Sequence, residues 1–289
     1  MYIRRVGAVR ESFPVPIVSV GNIVVGGSGK TPAVIEIASR YEDVAVVSRG
    51  YGRLSRGVVV VSLRGEIKCG VRESGDEAML MASRLPRATV IVSEDRKRGI
   101  ERAIEEGAKV IILDDGFNRV DIEKFEILMR PSGRVVGMVV PSGPNREFPS
   151  TASYADMVLT EGEDFERVVG CPECGGKMVL VTAIANPDRL EPYLPEGVVG
   201  RVHLPDHSWF EEERLSSIME EYGCDSILMT EKDYMKASSF KLPISILKLE
   251  LRFHTPIFEE IDRYIKEFDA EKNRNGTDPH RGTSVHKEI

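Results

Sequence analysis

The residues best suited to chemistry form a glycine-rich turn that ends in lysine and threonine. The turn GGSGKT (26–31) follows a β-branched segment, 16–20, and precedes an apolar-periodic segment, 32–41. Glycines allow successive backbone N–H groups to surround a phosphate, and a helix N-terminus adds partial positive charge. A strand, a glycine turn, Lys-Thr and a helix in this order predict a phosphate-binding P-loop.

Two side chains of this turn have separate predicted tasks. Lys30 is expected to reach the β- and γ-phosphates of a nucleotide as a catalytic cation, and the Thr31 hydroxyl is expected to ligate Mg²⁺. The usual pattern has glycine where this chain has Val24. A turn without a ligand is the alternative, which the flanking strand and helix disfavour. The predicted nucleotide-binding residues are Val24, Val25, Gly26, Gly27, Ser28, Gly29, Lys30 and Thr31.

A second motif of phosphate transfer ends the apolar segment 110–113. Asp114 and Asp115 follow that segment directly. Apolar residues that close on an aspartate are typical of a Walker-B strand, which holds Mg²⁺ directly or through water. Thr31, Asp114 and Asp115 are therefore the predicted metal ligands. The two motifs together indicate a nucleotide site more strongly than either motif alone.

A basic loop follows another predicted strand, 44–48. Arg49 and Arg53 flank a Gly-Tyr-Gly sequence there. Because the carboxyl ends of parallel strands point to the ligand-binding crevice of an α/β sheet, these arginines are predicted to bind anionic groups. A solvated turn is the alternative.

Acidic side chains and a histidine occur in three further segments. Asp95 follows the predicted strand 89–92 where a helix begins, and helix capping is its alternative role. Asp76 and Glu77 open another predicted helix, and by themselves they indicate only a complement to the helix dipole. His207 lies beside an aspartate in a proline-containing loop, although a lone histidine is more often structural than catalytic.

The composition predicts a globular cytoplasmic protein. The chain has 289 residues, 42% hydrophobic and 29% charged, enough for one large or two modest domains. Its net charge of −7 argues against a general nucleic-acid-binding surface. No apolar run approaches the ~20 residues of a membrane-spanning helix, and the arginine-containing start lacks the apolar core of a signal peptide. The basic start leaves open a peripheral contact with the inner face of the cell membrane.

The order of elements predicts an α/β fold. We expect a P-loop NTPase-like, three-layer αβα core with a mostly parallel sheet, and a smaller C-terminal α/β lobe. The composition changes near residue 165, and Cys171 and Cys174 follow. Their spacing is that of half a zinc ribbon, and a surface turn of reduced thiols is the alternative interpretation. The predicted parts are an N-terminal arm at 1–14, the P-loop core at 15–165, the smaller lobe at 166–269 and a disordered tail at 270–289.

The chain resembles a known family through nine motifs that occur in order from about residue 15 to 250. They are VPIVSVGNIVVGGSGKT (15–31), SRGYGR (48–53), GDEAMLMA (75–82), SEDR (93–96), ILDDGF (112–117), PSGPNRE (141–147), ANPDR (185–189), LPDHSWF (204–210) and TEKDYMK (230–236). As a set they resemble the tetraacyldisaccharide 4′-kinases, which phosphorylate a lipid A precursor. Valine in place of the first P-loop glycine is usual in that family.

The resemblance implies a reaction and a site. ATP would give its γ-phosphoryl group to the 4′-hydroxyl of a tetraacylated glucosamine disaccharide 1-phosphate, at the cytoplasmic face of the membrane, in a site between two α/β lobes. Asp95 would be the base, and His207 would pair with it and tune its basicity. The nucleotide and metal roles go to Lys30, Thr31, Asp114 and Asp115. The predicted substrate contacts are Asn22, Arg49, Arg53 and Arg146.

Two departures from the family pattern leave alternatives open. Only about fourteen residues precede the first strand, where family members usually carry an amphipathic helix that docks to the membrane, and Asn118-Arg119 stands where Gln-His is common. A kinase that acts on another glycolipid is therefore one alternative. A nucleotide-switch metallochaperone that uses Cys171 and Cys174 is the other.

Overall fold

The larger sheet carries the P-loop. A computed structural model describes residues 7–24, 29–132 and 148–276. Within them, the sheet has the order β4-β3-β5-β2-β6-β1-β7-β8. Its strands are β1 (Ile17–Asn22), β2 (Val44–Ser48), β3 (Val59–Leu63), β4 (Glu66–Ile67), β5 (Thr89–Val92), β6 (Val110–Asp114), β7 (Phe125–Arg130) and β8 (Met157–Thr160). All neighbouring strands pair in parallel except β3, which is antiparallel to both β5 and β4 and forms a hairpin with β4 at one edge.

Helices cover both faces of this sheet. They are α1 (Lys30–Ala38), α2 (Val71–Ser74), α3 (Asp76–Arg84) and α4 (Arg96–Glu105). Because successive side chains of a strand point to opposite faces, β1 sends Val18 into the core formed with α1 and α3, and Ile17 into the core formed with α4. The predicted three-layer αβα arrangement is confirmed.

A smaller sheet forms the second lobe. Its order is β11-β10-β12-β13-β9, with β9 antiparallel to β13 and the other neighbours parallel. The strands are β9 (Phe165–Gly170), β10 (Met178–Thr182), β11 (Val198–His203), β12 (Ser226–Thr230) and β13 (Ile244–Phe253). The helices α5 (Glu212–Tyr222) and α6 (Glu231–Ala237) pack on one face of it. Short 3₁₀ helices occur at Pro149–Tyr154 and Pro187–Tyr193.

The final helix, α7 (Ile257–Gly276), returns to the larger sheet. Ile257 and Ile261 are fully buried in the core that also contains α1. The Tyr264 hydroxyl accepts a hydrogen bond of 3.3 Å from the backbone N–H of Ile17. The helix extends past residue 270, so the predicted disordered tail is wrong over 270–276, where the helical hydrogen bonds continue. Residues 277–289 lie outside the described residues, and the predicted domain boundaries stay predictions.

Cys171 and Cys174 form a disulfide, so the prediction of reduced thiols differs from the structure. A backbone hydrogen bond from Cys174 N–H to the Cys171 carbonyl closes the turn, and it brings the two Cα atoms within 5.3 Å, a separation that a disulfide accepts. In the described part of the chain, no group of three or more His, Cys, Asp or Glu side chains is arranged to hold a metal ion. Over the same ranges, no helix has the length and hydrophobicity that crossing a membrane requires.

Candidate active site

Three neighbouring strands end at one edge of the larger sheet and place the predicted phosphate-binding groups together. Lys30, the first residue of α1, donates a hydrogen bond of 2.9 Å to Oδ1 of Asn22 at the end of β1. Its ammonium nitrogen is also 3.5 Å from Oδ1 of Asp115. The Asn22 amide nitrogen donates to the carbonyl of Val24. Asn22 therefore orients Lys30, and its contact with substrate stays a prediction.

The P-loop is described at its two ends. Val24 and Gly29 are described, whereas Val25, Gly26, Gly27 and Ser28 lie outside the described residues. Gly29 has a φ of 84°, a left-handed conformation that glycine adopts without strain, and it is the N-cap of α1. Lys30 and Thr31 therefore begin the helix as the P-loop prediction requires.

The Walker-B aspartates differ in burial and partners. Asp114 is buried, and its carboxylate accepts a hydrogen bond of 2.8 Å from the Ser48 hydroxyl. Burial, and then the charges of Glu77 and Asp115, raise the pKa of Asp114 to about 6. Asp115 is more exposed and has a φ of 56°, which is uncommon for a residue with a side chain and often occurs at functional sites.

The structure does not pair Asp95 with His207, and this part of the prediction is wrong. Asp95 is exposed, and its carboxylate accepts a hydrogen bond of 3.0 Å from the backbone N–H of Lys97. It is thus the N-cap of α4, which was its alternative role. The inward-facing residue of this motif is Arg96, which donates to the carbonyls of Ser93 and Asp114. Burial lowers the pKa of Arg96 to about 10, so it remains a cation at neutral pH.

His207 instead contacts Asp76, the first residue of α3. The distance from His207 Nδ1 to Asp76 Oδ2 is 3.1 Å, and the Asp76 residue is 4% exposed. Burial on its own would raise the pKa of Asp76, but the hydrogen bond with His207 and the nearby Lys232 and Lys236 hold it below its usual value. His207 has a φ of 61°, the second non-glycine residue of this region in a left-handed conformation.

The Arg-Gly-Tyr-Gly loop after β2 supports this pair. Gly75, just before Asp76, has a φ of 84°, and a Cβ there would lie 2.7 Å from the Tyr51 carbonyl. The Tyr51 ring is centred 4.8 Å from the His207 ring. A side chain at this position would be strained by the backbone conformation and by the Tyr51 carbonyl, so glycine fits the start of α3. The position of this glycine before an Asp-Glu pair was the sequence signal that could have identified Asp76.

The predicted arginines have different surroundings. A cavity of about 470 Å³ lies along residues 49–56 and Glu94. Arg49 is exposed beside it. The Arg53 side chain is 3% exposed, and its guanidinium donates to Glu94, the Gly57 carbonyl and the Ser55 hydroxyl. Arg53 therefore holds the loop in shape, a role that the prediction of a substrate contact did not include. Arg146 lies outside the described residues.

Comparisons with known proteins agree on one family. A family model described as tetraacyldisaccharide-1-P 4′-kinase matches residues 2–171 and 168–266. The tetraacyldisaccharide 4′-kinase of Helicobacter pylori (strain ATCC 700392 / 26695) is 44% identical over 264 residues, which are 91% of this chain and 84% of that protein. The enzyme of the same name from Aliarcobacter butzleri is 42% identical over 277 residues, 93% of this chain and 88% of that protein.

A solved structure agrees with the fold and the sequence comparisons. LpxK from Aquifex aeolicus, an "apo" form crystallised in complex with ATP, matches with a TM-score of 0.74 and 25% identity. The match covers 92% of this chain and 93% of that chain. The P-loop edge of the sheet, the contact between buried Asp76 and His207 and these relatives lead to one conclusion: the chain belongs to the tetraacyldisaccharide 4′-kinase family.

Proposed function

We propose that this chain transfers the γ-phosphoryl group of ATP to the 4′-hydroxyl of a tetraacyldisaccharide 1-phosphate, with Asp76 as the base in place of Asp95. The observation that carries the assignment of the base is the contact between Asp76 and His207. A sugar hydroxyl loses a proton as it attacks phosphorus, and a positioned carboxylate can accept that proton. Asp95 is already engaged as a helix cap on the surface.

The two members of the pair have different tasks. The lowered pKa of Asp76 keeps the group ionised at neutral pH, so it is ready to accept a proton from the 4′-hydroxyl. An ionised carboxylate accepts hydrogen bonds, so Nδ1 of His207 carries the proton that it donates to Asp76 Oδ2. His207 thereby fixes the direction of the carboxylate. The second oxygen, Oδ1, accepts a hydrogen bond of 2.9 Å from the backbone N–H of Glu77 and has a further lone pair for the substrate hydroxyl.

The nucleotide is assigned to the edge formed by β1, β6 and α1. The positive end of α1 and the Lys30 ammonium group supply charge for a triphosphate. Asn22 and Asp115 hold Lys30 before the nucleotide arrives. ATP in the Aquifex aeolicus protein, which has the same fold, supports this assignment.

The oxygen-rich end of β6 fits Mg²⁺. Thr31, Asp114 and Asp115 offer a hydroxyl and two carboxylates, which are the ligand types that Mg²⁺ prefers. Burial, and then the charges of Glu77 and Asp115, raise the pKa of the Asp114 carboxyl, and a cation bound there would offset both effects. When bound, Mg²⁺ neutralises charge on the phosphates. Asp114 and Asp115 are the residues that would hold it.

The lipid part of the substrate is assigned to exposed apolar side chains beside the Asp76–His207 pair. Tyr51 is 64% exposed, Leu54 is 67% exposed and Trp209 is 38% exposed. The Arg72 guanidinium lies 4.7 Å above the Trp209 ring, and the Arg72 carbonyl accepts a hydrogen bond from Leu54 N–H. Acyl chains would pack against these apolar side chains, and the charge of Arg72 would be attracted to an anionic membrane face. This surface therefore serves as the peripheral membrane contact.

A phosphate-transfer assay tests the proposed function. Purified protein, radiolabelled ATP and Mg²⁺ are incubated with the tetraacyldisaccharide 1-phosphate, and the position of the label on the product is determined. We expect a labelled 4′-phosphate. A parallel reaction with a bacterial glycolipid extract in place of that acceptor tests the alternative substrate class. Label only in another glycolipid would overturn the acceptor assignment and leave the P-loop chemistry in place.

A further inference from the structure

Lys236 is a buried cation in the second lobe that the proposed reaction does not yet use. It lies on α6, and its side chain is only 2% exposed. Lysine is almost never buried this completely unless its charge is paired, because desolvating an ammonium group is costly. The residues that Lys236 contacts therefore indicate which part of the protein it holds in place.

The Lys236 ammonium group contacts Asp76 and the loop that carries His207. Its nitrogen is 3.3 Å from Oδ2 of Asp76, the same oxygen that His207 contacts. It also donates a hydrogen bond of 2.9 Å to the carbonyl of Ser208, the residue that follows His207. One side chain of the second lobe thus fixes the carboxylate on α3 and the backbone of the loop that carries the imidazole.

Asp233 holds the other side of Lys236. Asp233 is completely buried, and one of its oxygens lies 3.8 Å from the Lys236 nitrogen. Its carboxylate accepts hydrogen bonds from the hydroxyls of Thr182 and Thr230, at the ends of β10 and β12. These contacts anchor Lys236 to two strands of the second sheet.

The same anchor reaches the histidine loop by a second route. The backbone N–H of Ala183 is directed at the Asp233 carboxylate, at 3.3 Å. The carbonyl of Ala183 accepts a hydrogen bond of 3.0 Å from the backbone N–H of His207. Two hydrogen bonds therefore connect the left-handed turn at His207 to one buried network. One is donated by the His207 N–H, and the other is accepted by the carbonyl of Ser208.

We propose that Lys236 is a positioning residue, which holds Asp76 and the His207 loop at the separation that proton transfer from the substrate hydroxyl requires. This inference rests on the proposed function. Lys236 contacts no substrate group in this role. It acts through Asp76. Without Lys236, the partners of Asp76 in the second lobe would be His207 and Lys232, which is more exposed than Lys236.

Other charges around Asp76 define what the loss of Lys236 would change. His207 faces it from the loop after β11, and Lys232 faces it from α6, where Lys232 pairs with Glu77 on α3 at 3.1 Å. The remaining acids nearby are Asp206, beside the His207 ring, and Asp233. Removing the Lys236 charge would leave Asp76 with one less cation among these acids, so Asp76 would bind a proton more readily.

The test compares three variants of the full chain in the phosphate-transfer assay. Lys236→Gln removes the charge and keeps a hydrogen-bond donor, Lys236→Arg keeps the charge, and Lys248→Gln makes the same charge change at an exposed position on β13. For Lys236→Gln we expect kcat to fall by about 10- to 100-fold, since small displacements of catalytic groups have effects of this size. The acid limb of the kcat/KM profile should move to higher pH, ATP affinity should be kept, and Lys236→Arg should restore part of kcat.

The outcomes separate this inference from the proposed function. A folded Lys236→Gln protein with kcat and acid limb equal to those of the Lys248→Gln control would overturn the positioning role alone. If Lys236→Gln does not fold, Lys236→Arg decides: a folded protein with lowered kcat supports positioning, whereas unchanged kcat and acid limb reduce Lys236 to a stabilising residue. No phosphate transfer by the unsubstituted chain would remove the proposed function and this inference together.

Discussion

Two aspartates begin consecutive helices of the larger lobe, and they face different surroundings. Asp76 opens α3, is nearly fully buried and contacts His207 and Lys236 of the second lobe. Asp95 precedes α4, is exposed and caps its own helix through the backbone N–H of Lys97. The same residue type at the same kind of helix start therefore has an inter-lobe role in one place and a local role in the other. The reason is that second-lobe residues pack against the start of α3, whereas Asp95 at the start of α4 stays exposed.

The largest effect should come from Asp76. Asp76→Asn keeps the shape of the side chain and removes its ability to accept a proton. We expect kcat to fall by ~10²–10⁴, the contribution of a positioned general base, with little change in ATP KM. Steady-state phosphate transfer with varied ATP measures both constants. An Asp76→Asn enzyme with unaltered kcat would exclude this residue as the base and end the contrast with Asp95.

His207 should give a smaller loss and a change in pH dependence. Because the hydrogen bond with His207 lowers the pKa of Asp76 while burial raises it, His207→Ala should let that pKa rise. The active carboxylate form would then be lost earlier as the pH falls, so the acid limb of kcat/KM moves to higher pH. We expect kcat at neutral pH to fall by about 10-fold or more.

His207→Asn is the matched control, because an asparagine amide can still donate to the carboxylate and accepts left-handed backbone more readily than alanine. Its acid limb should lie between those of the parent and His207→Ala. Identical pH profiles for all three proteins would contradict the coupling between His207 and Asp76.

Asp95 should affect stability and leave catalysis nearly unchanged. Asp95→Ala removes the N-cap of α4, and loss of such a cap costs about 1 kcal/mol in the free energy of unfolding. Urea unfolding followed by circular dichroism measures this change, and the transfer assay measures kcat beside it. If kcat instead fell as far as in Asp76→Asn, Asp95 would regain the role of base that the family resemblance implied.

Leu54, the most exposed of the three apolar side chains assigned to the lipid, should change only the KM for the acceptor. Leu54→Ser removes apolar area from a residue that is 67% exposed and leaves the Asp76–His207 pair untouched. We expect KM for the lipid acceptor to rise by about 3- to 10-fold with kcat kept, since partial burial of such a side chain contributes roughly 1 kcal/mol, less than the ~1.5–3 kcal/mol of full burial. Val199→Ser, an exposed position on β11, is the control. Equal KM values for both variants would argue against lipid contact at Leu54.

Local sequence was sufficient to predict which phosphate-binding candidates meet at one edge of the sheet, and it was insufficient to identify the proposed base. Lys30 comes after β1 and its glycine-rich turn, and Asp114 ends β6. The β-branched residues of both strands mark them as buried, and their parallel pairing brings their ends together. Asp76 and His207 are 131 positions apart and meet only because the two lobes pack together. No spacing within either segment encodes that contact. The capping role of Asp95 was recognisable, but helix starts alone could not decide which aspartate faces the second lobe.

The return of α7 to the larger sheet has a consequence for folding. Tyr264 meets Ile17 across 247 positions of the chain, and Ile257 and Ile261 complete the core on one face of the sheet. During synthesis, every strand of both sheets emerges before this helix does. The apolar face that α7 covers therefore stays open until late, and a nascent chain stopped before residue 257 would display it as a binding site for chaperones.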